Sequence, residues 1–239
     1  MYGFSDVKTA VKVSSTLNIN RICAAALAML GWFALTVQMG FDIQEALIKN
    51  ASVVGGLIHY FSFFTIQTNM LVALLLTISL VRPQTDQFLL RPSVKSALAN
   101  YIVIVGVVYA LLLRGLWDPQ GLQLVADRLL HDAIPLLYPL YWLIFLPKGT
   151  LRWIDPVVWL IYPLLYFFYI LLRGAVFGIY PYPFVDVATL GYGGVSINAM
   201  VFLAAFFGLG VMFAAIDRIL GGRNACVEAD LAERSNSDK

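Results

Sequence analysis

Long apolar runs are the feature that most restricts how this chain folds, since about 20 consecutive apolar residues form a helix that crosses a bilayer. Runs such as LVALLLTISLV lack the alternation that a membrane β-barrel requires. Because 60% of the residues are hydrophobic and only 13% are charged, we expect no separate soluble domain. The sequence therefore predicts an all-α fold, a polytopic membrane bundle of six transmembrane helices at about 22–42, 57–81, 97–117, 129–146, 154–172 and 192–217.

The distribution of lysine and arginine predicts the orientation of this bundle, because cytoplasmic connections are enriched in these residues. The two termini and the second and fourth connections together hold twelve of the 16 basic residues. We therefore expect both termini in the cytoplasm. Residues 1–21 would form a cytoplasmic segment, residues 22–218 the transmembrane domain, and residues 219–239 a disordered cytoplasmic tail.

A cluster of polar residues opens the second predicted span, in the stretch HYFSFFTIQTNM. Polar groups in hydrocarbon are costly unless each finds a partner. On one continuous helix Thr65 would lie about 10 Å below the outer boundary. Ser62, Thr65 and Asn69 would form a single stripe, with Gln67 pointing away from it. The stripe predicts a polar cavity within the outer leaflet.

Other polar residues fall at the same level of the bundle. They are His131 and Asp132 at the start of the fourth span, Arg114 and Arg173 at the ends of the third and fifth, and Tyr180, Tyr182 and Asp186 in the last connection. An ionisable residue within a membrane indicates a functional site. The inner halves of the spans are nearly all apolar, so the sequence concentrates its polar chemistry in one leaflet.

Structural roles are the alternative for most of these residues. Thr65 could bond to a carbonyl of its own helix, and His59 could be a wet interfacial residue. Asp132 points about 100° away from His131 on a helix, which favours helix capping or pairing with Arg128 over orienting that imidazole. Arg114 and Arg173 could extend to lipid headgroups.

Several classes of function lack their motifs in this sequence. There is no serine-hydrolase elbow, no zinc-binding histidine pair and no cluster of cysteine and histidine. We therefore predict no metal and no cofactor. The small net charge of +2 gives no indication of a nucleic-acid partner. A hydroxyl and an imidazole at similar depth on different helices are the chemistry that remains.

Three segments taken together resemble the Pr6Pr family of prokaryotic six-helix membrane proteins. They are FSFFTIQTNMLVALLL, LLHDAIPLLYPLYWLIF and WLIYPLLYFFYILLRGAVFGIYPYPFVDV, and the resemblance extends over about residues 20–220. This family is similar to the eukaryotic androgen-induced and FAR-17a-like proteins, whose animal members are membrane threonine hydrolases of fatty acid esters of hydroxy fatty acids. The resemblance implies a multi-pass protein of the prokaryotic plasma (inner) membrane, with membrane lipids and a lipid-like ester as partners.

The resemblance also implies roles for individual residues. The segment FFTIQTN places the nucleophile at Thr65, with Thr68 as the alternative register, and LLHDAIPLLYPL places the general base at His131. Asn69 is the nearest donor for an oxyanion, and Arg114 or Arg173 could hold a fatty acid carboxylate. The predicted supporting residues of the site are Asn69, Ser62, Arg114, Arg173, Tyr182 and Asp186.

Three hypotheses about function follow. The first is a lipid-ester hydrolase with a Thr65 and His131 dyad. The second is a non-catalytic protein that binds or moves a small lipid-like ligand through the same cavity, and the third is a bundle whose polar stripe only joins helices. Direct catalysis requires Thr65 Oγ1 and an imidazole nitrogen at roughly 2.6–3.2 Å, or somewhat further apart without substrate.

Overall fold

The computed structural model describes the backbone of residues 4–82 and 88–237, and the side chains of residues 18–82 and 88–222. Within these ranges all regular structure is helical and no strand occurs, which confirms the predicted all-α class. The predicted orientation depends partly on Lys8, Lys12, Arg223, Arg234 and Lys239, whose side chains lie outside the described residues.

Nine α-helices follow one another along the described chain. They are α1 (Phe4–Ile48), α2 (Val53–Tyr60), α3 (Phe64–Val81), α4 (Pro92–Val108), α5 (Gly121–Arg128), α6 (Ile134–Phe145), α7 (Asp155–Trp159), α8 (Ile161–Phe177) and α9 (Val187–Ser237). A π-helical segment, Tyr109–Leu113, extends α4, and a second one, Leu129–Ala133, joins α5 to α6. Gly191 interrupts α9 near its start, and the helix continues over the segment for which the sequence predicts disorder.

Five helical stretches of the described residues are long and apolar enough to cross a membrane. They are Asn18–Ile48, Phe64–Val81, Pro92–Leu113, Asp155–Phe177 and Val187–Gly222. These apolar helices indicate a multi-pass membrane protein. The remaining predicted span, 129–146, is helical too, but Arg128, His131 and Asp132 interrupt its apolar run, and it is not among the five.

The second predicted span is not one helix, as the sequence suggested for residues 57–81. α2 ends at Tyr60, the backbone of Phe63 is extended with φ −86° and ψ 130°, and α3 begins at Phe64. This break places Thr65 in the first turn of α3. Its depth and its direction therefore differ from those expected on a continuous helix.

Polar side chains satisfy the backbone groups that this break releases. Gln67 Nε2 donates to the Phe61 carbonyl at 2.8 Å, and the Tyr166 hydroxyl donates to the Ser62 carbonyl at 2.8 Å. The Phe64 N–H donates to the Tyr182 hydroxyl at 3.0 Å. Unpaired backbone groups in hydrocarbon would each cost several kcal/mol, so these side chains stabilise the break, and this role accounts for Gln67 in the polar stretch HYFSFFTIQTNM.

The helices around the break pack closely. α1 lies against α2 and α3, and α4 contacts α3, α6 and α9. Gly106 on α4 meets the second π-helical segment, where an added Cβ would lie 2.8 Å from Pro135 Cβ and 3.3 Å from the His131 carbonyl oxygen. The glycine therefore permits the close approach that brings Tyr109 to His131.

Candidate functional site

A cavity of about 250 Å³ lies where α1, α2, α3, both π-helical segments and the connection before α9 meet. We call it the polar cavity because of the side chains in its wall. These include Gln38, Asp42, Glu45, His59, Thr65, Tyr109, Trp117, Gln123, His131 and Tyr182. The two residues that the sequence proposed for catalysis, Thr65 and His131, thus line one cavity.

Thr65 owes its position to the break between α2 and α3. It is 7% exposed and lies in the first turn of α3, where backbone N–H groups have no partner within the helix. The positive end of the helix dipole also points at this turn. The Phe64 N–H of this turn already donates to Tyr182, so the helix dipole is the effect that stabilises negative charge on an atom bound beside Thr65.

His131 is held by Asp127, which is not among the predicted site residues. Its Nδ1 donates to the Asp127 carbonyl oxygen at 3.1 Å, and the carboxylate atom Asp127 Oδ1 lies 3.0 Å from the same nitrogen, although it has no hydrogen-bond partner among the described residues. The Tyr109 hydroxyl donates to Asp127 Oδ2 at 2.6 Å, and the Tyr109 ring stacks on the imidazole with centroids 3.9 Å apart. Asp127 is 1% exposed, so this contact is shielded from water.

This arrangement fixes the orientation of the imidazole. With Nδ1 donating to the Asp127 carbonyl oxygen, Nε2 is the nitrogen that remains to exchange a proton. The spacing DRLLH places Asp127 and His131 four residues apart, which on a helix brings two side chains to one face. That spacing was the signal in the sequence from which Asp127 could have been found.

A second histidine and aspartate pair lines the same cavity. His59 Nε2 lies 3.7 Å from Asp42 Oδ1, and Gln38 Nε2 donates to Asp42 Oδ2 at 3.0 Å. Asp42 is buried in α1, whereas the side chain of His59 is 42% exposed. His59 therefore keeps the wet position expected of an interfacial residue and also contributes to the cavity wall.

Tyr182 lies against the first turn of α3 and is the predicted supporting residue that lines the polar cavity together with Thr65. Burial raises the pKa of Tyr182, while the Thr65 hydroxyl and the N–H groups of Thr65 and Phe64 lower it by smaller amounts. The net shift is upward, so the phenol keeps its proton at neutral pH. The hydroxyl is therefore positioned to donate a hydrogen bond beside Thr65.

Thr65 has no direct contact with either imidazole in this structure. Within the described side chains no hydrogen bond joins Thr65 Oγ1 to His131 or His59. The strictest distance criterion for a dyad is therefore not met without substrate. Water in the cavity or a small movement on binding would have to complete the contact.

The remaining predicted residues on α2 and α3 have structural contacts. Asn69 Nδ2 donates to the Thr65 carbonyl at 2.9 Å and to the Leu130 carbonyl at 3.2 Å, so both of its N–H groups are engaged. Asn69 therefore joins α3 to the second π-helical segment and is not an oxyanion donor here. Ser62 Oγ donates to the Ile58 carbonyl at 2.5 Å, and neither Ser62 nor the fully buried Thr68 lines the polar cavity.

The two predicted arginines and Asp186 also lie outside the polar cavity wall. Arg114 forms an ion pair with Asp132, which also binds Arg128 at 2.9 Å, as expected for Asp132. Arg173 is buried and donates from Nη1 to the Ile179 carbonyl at 2.8 Å. Asp186 accepts from the Ala188 N–H at 2.9 Å and caps α9. Arg114, Arg173 and Asp186 therefore do not line the polar cavity, and the structure does not bring them to Thr65.

A second cavity of about 180 Å³ adjoins the first, and we call it the apolar cavity. Its wall is formed by α3, α4, α8, α9 and the connection before α9. Thr65, Leu113 and Tyr182 line both cavities. The candidate nucleophile therefore stands where a polar and an apolar space meet.

Comparison of the chain with protein-family models, with curated proteins and with solved structures finds no match. The described residues define an all-helical fold with five helices long and apolar enough to cross a membrane and with a cavity lined by polar side chains. The case for a function therefore depends on the chemistry of that cavity.

Proposed function

We propose that this protein is an intramembrane lipid-ester hydrolase with Thr65 as nucleophile and His131 as general base. The observation that supports it most is one cavity whose wall contains Thr65, Tyr182 and His131, the last of these held by Asp127. A threonine hydroxyl is a weak nucleophile and requires such a base.

The proposed reaction has two halves. In the first, Thr65 Oγ1 attacks the ester carbonyl while His131 Nε2 takes its proton, directly or through one water. The resulting oxyanion lies at the first turn of α3, where the Tyr182 hydroxyl can donate to it and the positive end of the helix dipole stabilises it. Collapse of this intermediate breaks the bond to the alcohol, and the imidazolium returns the proton to the departing oxygen.

The second half releases the acid. Water attacks the acyl-threonine ester, His131 takes the proton of that water, and collapse restores the Thr65 hydroxyl and frees the fatty acid. In both halves the Asp127 carboxylate stabilises the imidazolium. Thr68 lies outside the cavity wall, which favours Thr65 as the nucleophile.

We also propose membership of the Pr6Pr family, six spans with both termini in the cytoplasm, and a prokaryotic plasma (inner) membrane. The span that is not among the five apolar helices, which is the fourth along the chain, would consist of α5, the second π-helical segment and α6, residues 121–145. At 1.5 Å per residue these 25 residues measure about 37 Å, enough for a hydrocarbon core of roughly 30 Å. The π-helical turn inside it is of the kind that often marks functional sites.

A second candidate function is binding or movement of a lipid-like ligand without chemistry. The apolar cavity favours it, because an apolar space beside a few polar groups is typical of a ligand site. The two functions differ in whether Thr65 becomes acylated.

The decisive experiment treats purified protein in detergent with a fluorophosphonate probe and with a panel of lipid esters. We expect labelling and turnover in the wild type and loss of both in Thr65→Ala and His131→Ala. Thr68→Ala is the matched control, since it removes a hydroxyl from the same helix outside the cavity wall. Equal activity of Thr65→Ala and wild type, or an inactive wild type, would contradict the proposal.

A further inference from the structure

The two cavities that meet at Thr65 differ in what they can hold. An ester whose carbonyl carbon lies at Thr65 must extend its acyl chain into one cavity and its alcohol into the other. The contents of the two walls therefore indicate which part enters which cavity, and what kind of alcohol is accepted.

The apolar cavity fits an acyl chain. Its wall is almost entirely hydrocarbon and aromatic, with Phe64, Val105, Phe167, Phe184 and Phe202 among its side chains. From Ala199 to Phe206 it follows α9 over seven residues, which is about 10 Å at 1.5 Å per residue. Burial of each methylene group in such a space is favourable, and no partner for a polar alcohol lies deep within it.

The polar cavity fits an alcohol with free hydroxyl groups. Gln38, Gln123 and His59 supply side chains that donate and accept hydrogen bonds. Its carboxylates, Asp42 and Glu45, accept hydrogen bonds from hydroxyl groups as well. A hydroxyl-rich alcohol therefore finds partners that an alkyl group would leave unpaired.

The charge of the polar cavity disfavours a carboxylate on the alcohol. Among the described residues of its wall, two are acidic and none is lysine or arginine. The nearby cations are already paired, since Lys49 Nζ lies 2.6 Å from Glu45 Oε1, and Arg114 and Arg128 both bind Asp132. An anionic group beside Asp42 would meet like charge, and no lysine or arginine in the described part of the wall could offset it.

From these observations we infer, on the basis of the proposed hydrolase function, that the substrate is an ester of a fatty acid with an uncharged, hydroxyl-bearing alcohol such as glycerol. The acyl chain occupies the apolar cavity and the alcohol occupies the polar cavity. Esters whose alcohol is itself a hydroxy fatty acid are poor substrates, because their free carboxylate would enter the acidic wall.

The first test compares two esters that differ by one carboxylate, octanoylglycerol and the octanoyl ester of glyceric acid. We expect kcat/KM to be at least about tenfold higher for the glycerol ester, which corresponds to about 1.4 kcal/mol. Asp42→Asn and Glu45→Gln should each lower this preference, because each removes a negative charge from the wall. Equal rates for the two esters, or a preference for octanoylcholine over octanoylglycerol, would overturn the inference of an uncharged alcohol.

The second test concerns the acyl chain. Leu203→Trp narrows the apolar cavity and should reduce kcat/KM for palmitoylglycerol more than for butyrylglycerol. Val201→Trp is the matched control, since Val201 lies on the same helix, is 63% exposed and lines neither cavity. An equal effect of both variants on the two chain lengths would contradict the assignment of the acyl chain.

A third measurement separates this inference from the hydrolase function. Octanoylglycerol with a photoreactive diazirine at the end of its chain, or on its glycerol, is crosslinked to Thr65→Ala, and the labelled peptides are identified. We expect the chain probe to label α8 and α9, and the glycerol probe to label α1 and α2. If the probes label these helices but the wild-type protein does not hydrolyse octanoylglycerol, the two-cavity assignment is supported and the hydrolase function is overturned. If the wild-type protein hydrolyses octanoylglycerol but each probe labels the opposite pair of helices, the two-cavity assignment alone is overturned.

Discussion

Replacement of Asp127 by asparagine tests the core of the proposed site. The substitution keeps the shape of the side chain and an oxygen for the Tyr109 hydroxyl, but removes the charge that lies 3.0 Å from His131 Nδ1. A unit charge pair at that distance is worth at most about 5 kcal/mol at an effective dielectric constant of 20. The pair is fully charged only when His131 holds the proton of Thr65 or of water, so the loss falls on the transition state.

This energy sets the expected effect on catalysis. At 1.36 kcal/mol for each factor of ten, the upper bound corresponds to about 10⁴ in kcat, and we expect a decrease of about 10²- to 10⁴-fold. The KM should change little, since Asp127 does not line the cavity. The assay is steady-state hydrolysis of octanoylglycerol, with thermal unfolding in detergent to show that the variant is folded.

Asp132→Asn is the matched control for Asp127→Asn. Asp132 also lies beside His131 in the sequence, but it is partly exposed and binds Arg114 and Arg128. We expect its removal to change kcat by less than about threefold, as for an exposed ion pair. A folded Asp127→Asn variant with kcat within threefold of wild type would refute the role of Asp127 in orienting and stabilising the imidazole.

Three further predictions concern other parts of the molecule. Tyr182→Phe should lower kcat by about 10²- to 10³-fold at unchanged KM if the hydroxyl donates to the oxyanion. Gly106→Ala should lower the Tm by an amount equivalent to about 1–3 kcal/mol of overpacking, whereas Gly40→Ala, with no atom within 4 Å, should not. Burial lowers the pKa of Lys148 to about 8 from its ordinary value of 10.5. Because the unfolded chain then binds more protons between these values, stability should rise with pH across that window, and Lys148→Met should reduce the rise. Unchanged kcat in Tyr182→Phe, equal Tm in the two glycine variants, or an identical pH dependence in Lys148→Met would contradict these predictions in turn.

The helical class followed from the sequence because apolar run length alone decides it. The position of the break between α2 and α3 could not be predicted from the sequence, since Phe61, Ser62 and Phe63 have no proline or glycine among them to mark an interruption. The partners that make the break stable, Tyr166 and Tyr182, come from residues about 100 positions away. A local pattern cannot contain such information.

The candidate site, like the fold, could be predicted from the sequence only in part. Thr65 and His131 could be proposed from the sequence, and the structure places both in one cavity wall. Asp127 is related to His131 by the i, i+4 rule, but it lies outside the predicted span 129–146. Asp42 lies at the end of the first predicted span, and only the packing of α1 against α2 reveals its contact with His59.

The break between α2 and α3 connects the fold to the proposed chemistry. A continuous helix would place Thr65 in mid-helix, away from the positive end of a helix dipole. The break gives Thr65 a position in the first turn of α3, and non-helical backbone in an apolar surrounding is tolerated only where protein groups satisfy it. Gln67, Tyr166 and Tyr182 satisfy it. Tyr182 also lines both cavities, so the residue that stabilises the break is the same one that we expect to donate to the oxyanion.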